Sequence, residues 1–344
     1  MHRTPFKTFL YIGITSCLLS MQSCKLDPPV YPNSLSDTSG LPAVDVLKNP
    51  HLFVFTSAKG LNVLPHPFRI CTTTDGTKYI TSAAEGKVFK LDALGRITML
   101  LNDVKKPTGI KLDQEGNVYV MLTGENKIAK ISPGGKVSTV KINAYTNSAQ
   151  DLAIASDGTL YIADTGNSRI LKVSQDGTVV PLAGKIATFG LKDGTGENAH
   201  FSYPTNIRLA SDGFLWVIDG DGSNNNWGQT IRRISKKGQV STYFTQQNKA
   251  LSITDVAVAK LDKELNPSHI INLFLTYNNN TVAHFATDGQ QTLLAKITTP
   301  GHTDGDIITA QFHGPSGVCV NGTSVYIADE ENNSVRKIVA VKPN

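Results

Sequence analysis

The short motifs that carry most enzyme chemistry are missing from this sequence. It has no nucleophile elbow, no Cys-His pairing signature and no glycine-rich loop of the kind that cradles phosphate. Its eight histidines are scattered along the chain, and no two have the His-x-x-x-His spacing of a zinc site. Catalysis therefore has no support from any motif in the sequence.

The sequence also has little excess charge of either sign. The formal net charge is +5 over 344 residues, and two of the basic residues, Arg3 and Lys7, lie in the N-terminal segment. No basic stripe alternates with aromatic residues, so nucleic acid is excluded as an expected partner. With 40% hydrophobic residues and 29 glycines, the composition predicts a folded protein with many turns.

The N-terminus has the pattern of a bacterial lipoprotein signal, which we assign to residues 1–24. A basic start is followed by an uncharged apolar run, Phe9 to Met21, which is too short to span a bilayer comfortably. The run ends in Met-Gln-Ser-Cys24, which resembles a lipobox and predicts that Cys24 is acylated. Ile-Thr-Ser-Cys17 is the alternative lipobox, and ordinary secretion is the alternative to anchoring.

Residues 25–45 form the predicted tether between this signal and the folded domain. The stretch contains Pro28, Pro29, Pro32 and Pro42 among serines and has no apolar periodicity, which is typical of an extended linker. The predicted location is the cell envelope, as a membrane-anchored lipoprotein of the outer membrane or facing the periplasm.

A repeated unit occupies the remaining residues, 46–344. In each copy a short apolar strand, an Asp-Gly or equivalent turn and a strand with an aromatic residue follow one another, at intervals of roughly 40 to 55 residues where the copies are clearest. The six copies span residues 69–91, 109–131, 151–173, 206–234, 255–285 and 317–338. Small sheets of this kind bury their faces only against one another, so the repeat predicts an all-β, six-bladed propeller.

The last copy ends after three strands. We therefore expect the apolar segment Leu52 to Thr56 to supply the missing outer strand and close the ring.

Three motifs resemble the NHL repeat: Pro-Thr-Gly-Ile (107–110), Leu-Tyr-Ile-Ala-Asp-Thr-Gly-Asn-Ser-Arg-Ile (160–170) and Val-Tyr-Ile-Ala-Asp (325–329). The resemblance implies the propeller fold over nearly all of residues 45–344. It says little about function, because that family includes ligand-binding modules, protein-interaction platforms, RNA-binding domains and a lyase, and related propellers include lactonases.

Polar residues replace a glycine of the NHL pattern at the start of four first strands. The pattern has Gly here, as at Gly109 and Gly317, and the substituted positions hold Arg69, Asp151, Asn206 and Asp255. These side chains are expected to ring one mouth of the channel, where they could bind a sugar or carboxylate, or a divalent cation such as calcium. The alternative is that they are polar residues that only bond water and loop amides.

An enlarged loop, residues 219–228, should lie on the same face and carry Trp227. This tryptophan could stack on a sugar ring, or fold back over a neighbouring blade. The loop begins Asp-x-Asp-Gly, but Thr230 at the twelfth position rules out an EF-hand.

Other distinctive residues have predicted structural roles. Phe201 and Phe312, in two connections of matching sequence, should plug between blades. Asp164 and Asp329 are expected to cap turns rather than act as catalytic acids. Two cysteines, Cys71 and Cys319, are expected as buried thiols in neighbouring blades, with a disulfide as the alternative.

These patterns favour a binding or interaction scaffold with a glycan, peptide or envelope protein as ligand and no cofactor. The alternative is a metal-assisted lyase or hydrolase, with Asp151, Asn206 and Asp255 as ligands and Arg69 positioning an anionic substrate. A purely structural role in an envelope complex is the third hypothesis.

Overall fold

The computed structural model describes residues 52–59, 64–220, 228–260, 271–285 and 291–340. The predicted signal peptide with Cys24, the tether and Trp227 lie outside these ranges. Across the described residues, no helix has the length and apolar character needed to cross a bilayer.

Twenty-six strands and three single 3-10 turns are described. The strands of the first half are β1 (Leu52–Lys59), β2 (Arg69–Thr72), β3 (Lys78–Ser82), β4 (Lys87–Leu91), β5 (Ile97–Leu101), β6 (Pro107–Leu112), β7 (Val118–Leu122), β8 (Lys127–Ile131), β9 (Val137–Thr139), β10 (Asp151–Ile154), β11 (Leu160–Asp164), β12 (Arg169–Val173) and β13 (Val179–Gly184). Those of the second half are β14 (Gly194–Thr195), β15 (Asn206–Leu209), β16 (Leu215–Asp219), β17 (Thr230–Ile234), β18 (Gln239–Thr245), β19 (Ile253–Lys260), β20 (Ile271–Tyr277), β21 (Val282–Phe285), β22 (Gln291–Ala295), β23 (Gly305–Asp306), β24 (Pro315–Asn321), β25 (Ser324–Asp329) and β26 (Ser334–Ala340). The 3-10 turns are Thr123–Glu125, Thr165–Asn167 and Gly196–Asn198.

The strands form six antiparallel sheets, which are the six predicted blades. Blades 1, 2, 3 and 5 have the orders β2-β3-β4-β5, β6-β7-β8-β9, β10-β11-β12-β13 and β19-β20-β21-β22. Blade 4 has the order β15-β16-β17-β18-β14, and blade 6 has β24-β25-β26-β1-β23. The first strand of each blade contacts the first strands of both neighbours, and β24 contacts β2, so the ring is closed.

The N-terminal strand β1 lies in blade 6 as its fourth strand. It pairs antiparallel with β26, from Leu52 opposite Ala340 to Lys59 opposite Ser334. The last blade thus contains strands from both ends of the described chain, which removes the open edge that three strands would leave.

The second strand of a blade is covered on both faces, because it lies in the middle of its sheet and adjacent blades pack against it. In β7, β11 and β16 every residue is buried. This explains why the repeats contain continuous apolar runs such as Leu-Tyr-Ile-Ala rather than a strict alternation of apolar and polar residues.

The core consists of apolar layers between successive blades, and the two phenylalanines lie in these layers as predicted. Phe201 is fully buried between blades 3 and 4, with Tyr161 and Val217 in the same cluster. Phe312 is fully buried between blades 5 and 6, in a cluster with Phe274 and Ile327.

A buried arginine lies over each of these rings. The Arg232 guanidinium is 5.1 Å from the centre of the Phe201 ring, and that of Arg336 is 4.9 Å from the centre of the Phe312 ring. The matching sequences of the two connections therefore reflect one structural unit that is used twice.

The carboxylates that end second strands bond loop amides, as predicted for Asp164 and Asp329. Asp164 accepts hydrogen bonds from the backbone N–H of Asn147 at 2.8 Å and from Arg169 Nε at 2.7 Å. Asp329 accepts from the N–H of His313 at 2.8 Å and from Arg336 Nη1 at 2.9 Å. Through these bonds the two carboxylates fix the segments that lead into the first strands of blades 3 and 6, which is a structural role.

Candidate functional site

The four predicted mouth residues occupy corresponding positions in the first strands of blades 1, 3, 4 and 5. Each lies near the start of its strand: Arg69 in β2, Asp151 in β10, Asn206 in β15 and Asp255 in β19. The first strands contact one another around the ring, so the four side chains lie at one end of the channel wall. All four residues are buried.

Glycine is required at the two remaining positions by the neighbouring blades. A Cβ on Gly109 would collide with Oδ1 of Asp151, and one on Gly317 would lie 2.6 Å from the carbonyl oxygen of Phe68. Blades 2 and 6 therefore have no room for a side chain here, because the polar residue of the next blade and its backbone fill the space.

Arg208 joins two of the predicted carboxylates. Its Nη2 donates to Oδ1 of Asp255 at 2.6 Å, and its Nη1 donates to Oδ2 of Asp151. The other oxygen of Asp151 accepts from Lys111 Nζ at 2.6 Å. Lys111, Asp151, Arg208 and Asp255 thus form one charged chain that crosses blades 2, 3, 4 and 5, which we call the channel network.

Neutral donors complete the bonding of the two carboxylates. Asp151 accepts from the backbone N–H of Ile207 at 3.1 Å. Asp255 accepts from Asn206 Nδ2 at 2.9 Å and from the N–H of Val318 at 2.9 Å. Asn206 is therefore an internal donor of the site, and Asp255 links blade 5 to blade 6.

Arg69 lies at the same end of the channel, in blade 1. Its Nη2 donates to the carbonyl oxygen of Thr254 at 3.0 Å, and its Nη1 donates to that of Ser316. The guanidinium also lies 4.0 Å from the centre of the Phe68 ring. Arg69 thus holds backbone groups of blades 5 and 6 against blade 1.

The pKa shifts in the network follow from burial and from ion pairing. Burial alone would raise the pKa of Asp151, but the Lys111 and Arg208 cations lower it below its ordinary value. Burial lowers the pKa of Lys111 despite its carboxylate partner. Burial would also lower the pKa of Arg208, but Asp255 and Asp151 raise it, so this guanidinium stays charged.

Sequence reasoning missed Arg208 and Lys111. Each lies two residues beyond the mouth position of its blade and so points to the same side of its strand. The signal was a charged residue inside an apolar first strand, as in Ile-Arg-Leu and Ile-Lys-Leu. The corresponding positions in the other blades have no formal charge: Cys71, Ala153, Ala257 and Cys319.

The two cysteines are free thiols in the first strands of blades 1 and 6. Burial raises the pKa of Cys71 to about 12 and that of Cys319 well above its ordinary value. The structure has two free thiols rather than a disulfide, as expected, but both residues are partly buried and not fully buried as predicted.

The exposed part of the channel network is cationic. The Lys111 and Arg208 side chains are 15% and 14% exposed, whereas those of Asp151 and Asp255 are 1% and 0% exposed. A divalent cation shared by the two carboxylates would have to displace Arg208. Within the described residues, no group of three or more His, Cys, Asp or Glu side chains is placed to hold a metal ion.

The family model that matches the chain is the NHL repeat, at residues 146–173 and 312–338. These matches correspond to blades 3 and 6. No curated protein sequence matches the chain.

Several solved structures share the fold at low sequence identity. An auxiliary nutrient binding protein from Bacteroides thetaiotaomicron is 13% identical, with 85% of this chain and 77% of that chain covered and a TM-score of 0.66. Virginiamycin B lyase from Staphylococcus aureus is 18% identical, with 79% and 80% covered and a TM-score of 0.54. A chain of a nidogen/laminin complex is 16% identical, with 83% and 87% covered and a TM-score of 0.54. The chain is a six-bladed β-propeller that contains NHL repeats.

Proposed function

We propose that this chain is an exported, non-catalytic binding propeller that holds a ligand rich in hydrogen-bond acceptors at the channel mouth. The site consists of the partly exposed Lys111 and Arg208 together with the buried Arg69, Asp151, Asn206 and Asp255. Its ligand is a glycan, peptide or envelope protein that presents carbonyl, carboxylate or hydroxyl oxygens.

The exposure of the channel network is the observation that carries this proposal. Its two cations are the partly exposed members, and its two carboxylates lie behind them. In this proposal a ligand in the channel contacts the Lys111 ammonium and the Arg208 guanidinium. Such donors form charge-assisted hydrogen bonds with acceptor oxygens.

The bonding of the carboxylates supports binding over the metal-assisted alternative. A metal-dependent lyase or hydrolase needs ligand oxygens that a metal ion can reach and an open coordination position for substrate. In this propeller Arg208 already bonds both carboxylates, and Lys111 bonds Asp151. The likeness to the Bacteroides nutrient binding protein is consistent with a binding role.

In this proposal the protein is exported, so the channel mouth of the propeller lies in the cell envelope. In our proposal Cys24 carries the lipid, residues 25–45 act as the tether, and the propeller extends from the membrane surface to reach its ligand.

The test is a screen of the 25–344 chain against a glycan array and an acidic peptide library, followed by calorimetry with the strongest binder. Lys111→Met should weaken binding at least tenfold, because it removes an exposed donor but leaves the Arg208 bridge to both carboxylates. Lys136→Met, in the exposed turn between β8 and β9, is the matched charge control and should leave the affinity unchanged.

Metal analysis of the same preparation tests the metal-assisted alternative. Stoichiometric divalent metal that is lost in Asp151→Asn and Asp255→Asn would overturn the binding proposal in favour of the metal-assisted enzyme.

A further inference from the structure

A polar cavity lies at the face of the propeller that carries the turns between first and second strands. It has a volume of about 440 Å³ and opens between blades 2 and 3. Its rim includes the turns that follow the ends of β6 and β10, whereas Asp151 of the channel network begins β10. The cavity shares no lining residue with the channel network, and we call it the blade 2–3 groove.

The charges that line the groove are balanced. Asp113 and Glu115 contribute two carboxylates, and Lys130 and Lys141 contribute two ammonium groups. A groove with no excess of either sign does not select an ion by long-range attraction. It favours a neutral ligand that can use donors and acceptors together.

Hydroxyl and amide groups supply most of the remaining polar lining. They come from both blades: Ser138 and Thr139 from blade 2, and Ser156, Ser174 and Gln175 from blade 3. Each hydroxyl can donate and accept, as can each amide group. The ligand chemistry that matches alternating donors and acceptors is a set of neighbouring hydroxyl groups.

The charged pair Asp113–Lys130 in the groove lining is held in place by other groups of the protein. Asp113 accepts from the backbone N–H and from Nδ2 of Asn117, both at 2.8 Å. Lys130 Nζ lies 3.7 Å from Oδ2 of Asp113 and 5.0 Å from the centre of the Tyr119 ring. Fixed polar groups lower the entropic cost of binding a small polar molecule.

Asp113 distinguishes this turn from equivalent turns in three other blades. In each, a residue accepts a hydrogen bond from the N–H of the glycine three positions later, and those residues are Thr73, Ala155 and Ala210. In blade 2 the same position has a carboxylate. The turn itself does not require a carboxylate, since alanine occupies the position in two of these blades.

We propose that the blade 2–3 groove binds a neutral carbohydrate of one or two sugar units. Its volume lies within the range of about 300 to 1,000 Å³ that is usual for small-molecule sites. The hydroxyls of a sugar form hydrogen bonds with the Asp113 carboxylate, the Lys130 ammonium and the serine and glutamine side chains of the lining.

Saturation-transfer NMR of the full chain with glucose, maltose, cellobiose and xylose tests this. At least one sugar should receive saturation, and its affinity should change little between low and high salt, because the ligand is neutral. Asp113→Asn, which keeps an acceptor for the turn, should weaken binding about tenfold through loss of one charged hydrogen bond.

A filling variant tests the location of the site. Ser138→Tyr, at an exposed position of β9, should abolish the signal by occupying the groove. Val180→Tyr, which adds the same ring at an exposed position of β13, is its matched control and should retain the signal. Circular dichroism should show that both variants are folded.

Three results would overturn the proposal. The first is no saturation of any of the four sugars by the folded wild-type chain. The second is a sugar signal that survives Ser138→Tyr. The third is a groove that binds only peptides, in a screen of an acidic and a neutral peptide library. None of these results bears on the channel mouth, whose test uses Lys111→Met.

Discussion

Arg208 and Asp255 form a 2.6 Å ion pair across the boundary between blades 4 and 5. The same guanidinium reaches Asp151 in blade 3, so that one side chain ties together three consecutive blades near the channel. The charged residues of the mouth thus have two roles in our proposal: they hold the ring together and they present donors to a ligand.

Replacing Arg208 should strongly destabilise the propeller. Arg208→Met leaves two buried carboxylates without their shared cation, and the loss of one partner of a buried pair typically costs about 3 to 5 kcal/mol. Urea unfolding followed by circular dichroism measures this. Arg96→Met is the control, because Arg96 pairs with Asp92 while largely exposed, and it should cost under about 1 kcal/mol. If Arg208→Met lowers the free energy of unfolding as little as the control does, the channel network does not contribute to the stability of the fold.

The acid stability of the fold should depend on Asp151. Its pKa is lowered in the folded chain by Lys111 and Arg208, against the effect of burial. A carboxylate with a lowered folded pKa stabilises the protein at pH values above its unfolded pKa of about 3.9, and this contribution is lost as the pH falls through the folded pKa.

We therefore expect Asp151→Asn to be less stable than wild type at neutral pH, with a smaller drop in Tm between neutral and acid pH. Calorimetry across this range tests it, with the exposed Glu197→Gln as control. An equal drop in Tm between neutral and acid pH in wild type and Asp151→Asn would contradict the lowered pKa of Asp151.

The two buried phenylalanines should contribute equally to the packing between blades. Phe201→Ala and Phe312→Ala each remove a fully buried ring and should cost about 3 to 5 kcal/mol in chemical denaturation. Phe189→Ala, at a ring that is 58% exposed, should change stability by less than about 0.5 kcal/mol. A small effect at only one of the buried positions would show that the two connections are not equivalent.

The two first-strand thiols should be unreactive in the native protein. Burial raises the pKa of Cys71 to about 12, so little nucleophilic thiolate is present at neutral pH. Iodoacetamide should label Cys71 and Cys319 only after unfolding, as read by mass spectrometry of the peptides. Failure to label either residue after unfolding without reductant would mean that they form a disulfide.

The anchor proposal makes its own prediction. Cys24→Ala should move the protein from the membrane fraction to the soluble envelope fraction, because the acyl chains attach at this thiol. Mass spectrometry of the wild-type N-terminus should show a lipid on Cys24. A lipid on Cys17, or none, would move or remove the proposed anchor.

The sequence by itself determined the fold. The Asp157-Gly158 turn, the buried run that contains Tyr161 and the repetition of both are local features, because a hairpin is encoded by its own turn and strands. Six copies then required a closed ring. The positions of Arg69, Asp151, Asn206 and Asp255 followed from the same reasoning, since the start of a first strand is defined within its own repeat.

Only the tertiary structure decided what those residues contact. Asp151 and Asp255 are paired because Arg208 in the intervening blade is long enough to reach both, and this depends on the distance between strands that are far apart in sequence. The blade 2–3 groove likewise exists only where the turns of two separate repeats meet. Local patterns encode each blade, but the chemistry of the site arises between blades, where packing geometry decides which charges meet.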